Sequence, residues 1–117
     1  MTDQLNRGEV WLADLNPTQG SEQAGIRPII IFQNDLVSRF STTVITIPLT
    51  TNQRRAALPI CLLIEQGQGG LSQDSVALCF QMRVLDKTRL MQKLGQLSAE
   101  VIAQLEDVVL LTLGYGS

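Results

Sequence analysis

Arginine and hydroxyl groups carry most of the chemistry this chain can offer, because it contains no histidine. Arg27 stands directly before Pro28, at the start of the apolar run Ile29–Phe32. The loop ahead of it delivers Glu22 and Gln23. A second polar stretch, with Thr50, Thr51, Arg54 and Arg55, follows another strand-like run. If the two runs are neighbours, one rim gathers a guanidinium, two hydroxyls and further positive charge. That inventory suits phosphate: arginine grips two oxygens with a planar fork, and threonine adds a hydroxyl donor. On composition alone the plainer reading comes first, which is solvated surface loops, since Arg-Pro and Thr-Thr pairs are common.

The missing histidines exclude Ser-His-Asp and Cys-His triads, two-histidine ribonuclease chemistry, His-ligated zinc and proximal-His haem. Cys61 and Cys79 form no CxxC pair and are too few for a cysteine metal site, so both are expected to be reduced packing residues. The start, MTDQLNRGEV, carries Asp3 and no apolar segment, so it does not read as a secretory signal. No apolar run approaches the ~20 residues of a membrane span. A soluble cytoplasmic protein is expected. The length of 117 residues suits one domain, and a net charge of −2 means that any positive field must be local.

The elements that must position these residues are short. Gly8–Leu15 is rich in strand formers and ends at the turn signal Asn16-Pro17. Thr18–Ile26 is expected to be an exposed loop, and Arg27-Pro28 to open a buried strand. Asn34 suits the N-cap of a short helical turn reaching Arg39. Thr43–Ile47 alternates as a strand that Pro48 is expected to end. Ala57–Ile64 reads as a strand with Pro59 on its edge, Glu65–Ser72 as a flexible turn, and Ser75–Leu85 as a long strand with a bend at Gln81-Met82. Asp86 is expected to cap a short helix, Lys87–Leu94, stopping at Gly95. Ser98 caps the one strong helix, Ala99–Leu113, whose stripe of Val101, Ile102, Leu105, Val108, Val109 and Leu113 suits packing on a sheet. Strands first and one closing helix last point to an α+β fold with a curled antiparallel sheet.

The opening RGEVWLADLNPTQGSEQAGIRPIIIFQND closely resembles the MazF/PemK family of toxin endoribonucleases in its RGE-W-DL-P-GSEQ-G-RP-ND pattern. ITIPLTT and SVALCFQMRVLDKTRL continue the match in order, so the resemblance covers the chain from Arg7 to about Leu113. It implies one MazF/PemK-like domain over residues 1–117, a small SH3-like, CcdB/PemK-type antiparallel β-barrel with a C-terminal helix. It further implies a homodimer that cuts single-stranded RNA at specific sequences, without metal or cofactor, and is opposed by an antitoxin protein. By motif, the arginine of the GxRP element is Arg27 and the loop threonine is Thr50, with Thr51 as the alternative. The glutamate of GSEQ is Glu22, and the glutamine before the MRVLD stretch is Gln81.

RNA supplies its own nucleophile, the 2′-hydroxyl, so such an enzyme needs only to align it and stabilise charge on the phosphoryl oxygens. An arginine stays protonated throughout the physiological range, which favours an electrostatic role. Phe80 stands where related sequences often carry an acid, and reads either as a core aromatic or as a platform for a base. Trp11 reads as core or dimer interface, and Arg83, Lys87, Arg89 and Lys93 as a solvated face. Two other functions stay open: a toxin of this fold that poisons a protein such as DNA gyrase without catalysis, and a degenerate member that retains only antitoxin binding.

Overall fold

The structure, a computed structural model, describes residues 4–17, 20, 25–54 and 60–116. Strand β1 (Glu9–Asp14) pairs antiparallel with β2 (Ile26–Ile31), with Val10 opposite Ile30 and Asp14 opposite Ile26. On the other side of β2 lies β3 (Thr43–Thr50), with Ile31 opposite Thr46 and Ile29 opposite Pro48. Then follow β4 (Cys61–Ile64), β5 (Ser75–Leu78), β6 (Arg83–Asp86) and β7 (Leu90–Gln96). The seven strands form one antiparallel sheet in the order β4-β5-β3-β2-β1-β7, with β6 also paired to β3. The end strands β4 and β7 are not neighbours on this path, so among the described residues the sheet curls without closing into a strict barrel. With helix α2 (Ala99–Thr112) after it, the fold is α+β.

Both faces of the sheet are covered. Leu105 and Val109 of α2 pack with Val10, Ile30, Ile47, Leu49 and Leu97 on one face. Leu5, Leu15, Ile29, Ile31, Val44 and Leu85 form a second cluster, against which half-buried Trp11 packs. Alternation along β3 sends Val44 to one cluster and Ile47 and Leu49 to the other. Leu113, expected in the helical stripe, is 56% exposed because α2 ends at Thr112. The capping expectations hold: Ser98 Oγ accepts from the Val101 amide at 3.2 Å, and Asn34 Oδ1 accepts from Leu36 at the start of α1 (Asp35–Ser38).

Several expectations are corrected. Pro48 does not end its strand. Along that side of β3 the partner changes from β6, which reaches Thr46, to β5, which begins at Leu49. Pro48 falls at this change, where a lost donor costs least. Between the same two positions the opposite chain runs from Arg83 back to Ala77. The surplus is taken up as a 3₁₀ turn, Cys79–Gln81, which divides the single long strand expected over Ser75–Leu85 into β5 and β6. The helix expected at Lys87–Leu94 is only a 3₁₀ turn, Lys87–Arg89, capped by Asp86. Leu90 onward pairs with the open edge of β1 instead. Ladder hydrogen bonds and contact with Trp11 outweigh the helix preference of that sequence. The glycine-rich Glu65–Ser72 segment holds a 3₁₀ turn, Gln68–Gly70, packed on β7. A side chain on Gly95 would come within 2.6 Å of the Gly69 carbonyl carbon, so Gly95 marks close backbone approach rather than a helix stop. Residues 57–59 of the expected fourth strand, and most of the Thr18–Ile26 loop, lie outside the described residues, although Ile26 already belongs to β2.

Cys61 and Cys79 are buried, as expected of packing residues. Burial pushes the Cys79 thiol up to about 12. Above the ordinary thiol range the unfolded chain ionises first, so Cys79 makes stability fall as pH rises from about 9 toward 12. The slope is at most about 1.4 kcal/mol per pH unit. Urea unfolding of wild type and Cys79→Ala between pH 8 and 11 checks this. The wild-type curve is expected to fall more steeply, and parallel curves would refute it.

Candidate functional site

The register that sets Ile29 against Pro48 also determines what stands two residues further on. Arg27 and Thr50 each lie two residues outward from that last pair. The two meet in a cleft lined by Arg27, Pro28, Leu49, Thr50, Thr51 and Ser75, with a volume of about 40 Å³. That space suits a phosphoryl oxygen or a hydroxyl rather than a whole nucleotide, so any larger substrate must lie across its mouth. Thr50 Oγ1 accepts the Asn52 amide at 3.2 Å, which occupies a lone pair and leaves its own O–H as a donor. Pairing of Thr50 with Val76 brings Ser75 to the cleft wall. Ser75 is buried, and its hydroxyl donates to the Gln73 carbonyl at 3.1 Å. Nothing in the sequence singles it out, because only the β3–β5 pairing places it there.

The remaining candidates are spread more widely. Arg54 is exposed on the turn after β3, where its amide donates to Asn52 Oδ1. Glu22, Gln23 and Arg55 lie outside the described residues. Phe80 and Gln81 sit on the turn between β5 and β6, beyond the residues that line the cleft. At 40% exposure Phe80 is not a core aromatic.

The four cations expected as a solvated face are all engaged. Arg83 Nη1 donates to the Leu15 carbonyl at 3.3 Å, and Arg89 Nη1 to the Asp14 carbonyl at 3.1 Å and to the Asn16 carbonyl. Lys87 Nζ donates to the Ser38 carbonyl. Lys93 pairs with buried Glu9 at 3.6 Å, and the same carboxylate accepts Trp11 Nε1 at 3.0 Å. Long-range pairings such as these leave no mark in a sequence.

Cavity size alone does not identify the site. A groove of about 520 Å³ lies by the opposite end of β3, lined by Arg39–Thr42 and Asp86–Thr88. Its Asp86 carboxylate is held below the ordinary range by the Thr88 amide and hydroxyl, and its Lys87 is already bonded. Among the described residues no three His, Cys, Asp or Glu side chains gather to hold a metal ion. No described helix is long and apolar enough to cross a membrane.

Comparison with known proteins bears on the family and the fold. Residues 6–113 match the family of the PemK-like, MazF-like toxin of type II toxin–antitoxin systems. The chain is 44% identical over 110 residues to Endoribonuclease MazF of Staphylococcus saprophyticus, covering 94% of this chain and 92% of the relative. The fold matches that of MazF from Deinococcus radiodurans with a TM-score of 0.81, at 21% identity, over 95% and 97% of the two chains. It also matches a mycobacterial endoribonuclease solved with its cognate antitoxin, with a TM-score of 0.80 at 21% identity over 97% and 98%. This chain therefore belongs to the PemK-like, MazF-like family of toxins of type II toxin–antitoxin systems.

Proposed function

We propose that this protein is a cytoplasmic toxin endoribonuclease that cuts single-stranded RNA at specific sequences without a metal ion. The carrying observation is the Arg27–Thr50 cleft at the open end of the β2–β3 pair. The identity to Endoribonuclease MazF supports the same activity. In this reading a scissile phosphate lies across the cleft with a phosphoryl oxygen inside it. The Arg27 guanidinium stabilises the charge that grows on that oxygen, and the Thr50 hydroxyl donates a further hydrogen bond. The adjacent 2′-hydroxyl attacks phosphorus in line, the bond to the 5′-oxygen breaks, and the products are a 2′,3′-cyclic phosphate and a 5′-hydroxyl. Arg54 tracks the backbone, and Phe80, exposed on its turn, stacks a base. Glu22, Gln23, Thr51, Arg55 and Gln81 complete the proposed RNA-binding set.

The active species in this reading is a homodimer under the control of a cognate antitoxin. Exposed apolar groups support it: Phe40 is 83% exposed beside Leu36 and Val37, and Leu110, Leu113 and Tyr115 cluster at the end of α2. An acidic antitoxin segment suits the neighbourhood of Arg27 and Arg54, and MazE–MazF complexes of the Deinococcus protein share this fold.

Purified protein incubated with long RNA and EDTA is expected to cut, leaving 5′-hydroxyl ends. Cutting that stops with chelator and returns with added metal would reject the metal-free mechanism. Absence of cutting under either condition would favour a toxin aimed at a protein.

A further inference from the structure

Which contacts hold Arg27 in place is a separate question. The β2–β3 pairing ends at Ile29 and Pro48, before Arg27 is reached. The β1–β2 pairing continues past it, with Ala13 opposite Arg27 and Asp14 opposite Ile26. On its β1 side Arg27 is therefore held by the ladder to Ala13, at the end of β1. Beyond that end, the Leu15 amide donates to the Gly25 carbonyl at 2.9 Å, and the Gly25 amide donates to Asn16 Oδ1 at 3.1 Å. The outward carbonyls of Asp14, Leu15 and Asn16 are taken by two arginines from the far side of the chain. Arg89 reaches the first and third, and Arg83 the second. Both side chains are half-buried.

We propose that Arg89, assisted by Arg83, is a positioning residue for this site, a clasp that holds the mouth of the β1–β2 hairpin and so sets Arg27 against Thr50. This rests on the ribonuclease reading above. The choice of arginine follows from reach. Arg89 makes both bonds from the one nitrogen Nη1, which stands one bond further from Cα than a lysine ammonium does, so lysine in its place falls short of the same two carbonyls. Residues that read as a solvated cationic face thus act on the backbone instead of on phosphate.

The test compares wild type, Arg89→Gln, Arg89→Lys and Arg83→Gln, each alone and combined with Arg27→Ala. For Arg89→Gln, kcat is expected to fall by about 10²-fold, because misplacing a catalytic group by about 1 Å has that cost. KM for RNA and the thermal midpoint change little, Arg89→Lys recovers only part of the rate, and Arg83→Gln loses less. In the Arg27→Ala background, Arg89→Gln is expected to add almost nothing, since there is no longer a guanidinium to place. Equal losses in both backgrounds would make Arg89 a general stabiliser and overturn the proposal, as would an unchanged kcat. Amide exchange at Leu15 and Gly25 provides a readout that needs no cleavage. Faster exchange in the Arg89 variants supports the clasp, and unchanged exchange overturns it. Wild-type protein that cuts no RNA would reject the ribonuclease reading, with the clasp then judged by exchange alone.

Discussion

Arg27→Ala is expected to lower the rate of RNA cleavage by about 10²–10³-fold, the usual cost of removing one preorganised donor from a developing oxyanion. The loss should fall in kcat more than in KM, because the interaction strengthens as negative charge builds on the phosphoryl oxygen. Folding should be unaffected, since Arg27 is exposed and its strand is anchored by Ile29, Ile30 and Ile31. Arg27→Lys should rescue poorly, because an ammonium offers a point charge where a fork is needed. Thr50→Ala should lose less, as it removes a single neutral donor. Single-turnover kinetics on a short RNA with a mapped cut site decide the matter. Near-normal cleavage by Arg27→Ala would place the catalytic centre elsewhere.

The largest effect on stability is expected at Leu105. This side chain is wholly buried where α2 meets the sheet, in the cluster that holds Val10, Ile30, Ile47 and Leu97. Leu105→Ala removes its transfer free energy and leaves a cavity that rigid strands on the far side cannot fill, so about 2–5 kcal/mol of stability should be lost. Loss on that scale is a large fraction of the ~5–15 kcal/mol typical of a domain. Urea unfolding should show a lower midpoint with an unchanged slope. A loss below about 1 kcal/mol would mean that α2 contributes little to holding the sheet.

The sequence by itself determined those features that depend on residues close together in the chain. Helix α2 was legible because its cap, acidic first turn and apolar spacing all lie within one stretch, and α1 because Asn34 bonds Leu36 two residues on. Arg27 and Thr50 were legible as candidates because each sits where a polar loop meets a strand, in a motif that resembles a known family. Their meeting was not legible. It depends on the register between β2 and β3, which is a pairing between distant segments.

Only the tertiary structure decided the rest. Leu90–Gln96 became a strand because β1 presented an open edge, although its residues tolerate a helix equally well. Pro48 could remain inside β3 because its neighbour on one side changes at that point. Gly95 turned out to be a contact rather than a stop, because Gly69 lies against it. Arg83 and Arg89, indistinguishable in the sequence from surface cations, found carbonyls many residues away at the hairpin that carries Arg27. The physical reason is common to all of these. Caps and periodicity are local energies written in adjacent residues, whereas ladder partners, close backbone approaches and long-range clasps exist only once the chain has folded back on itself.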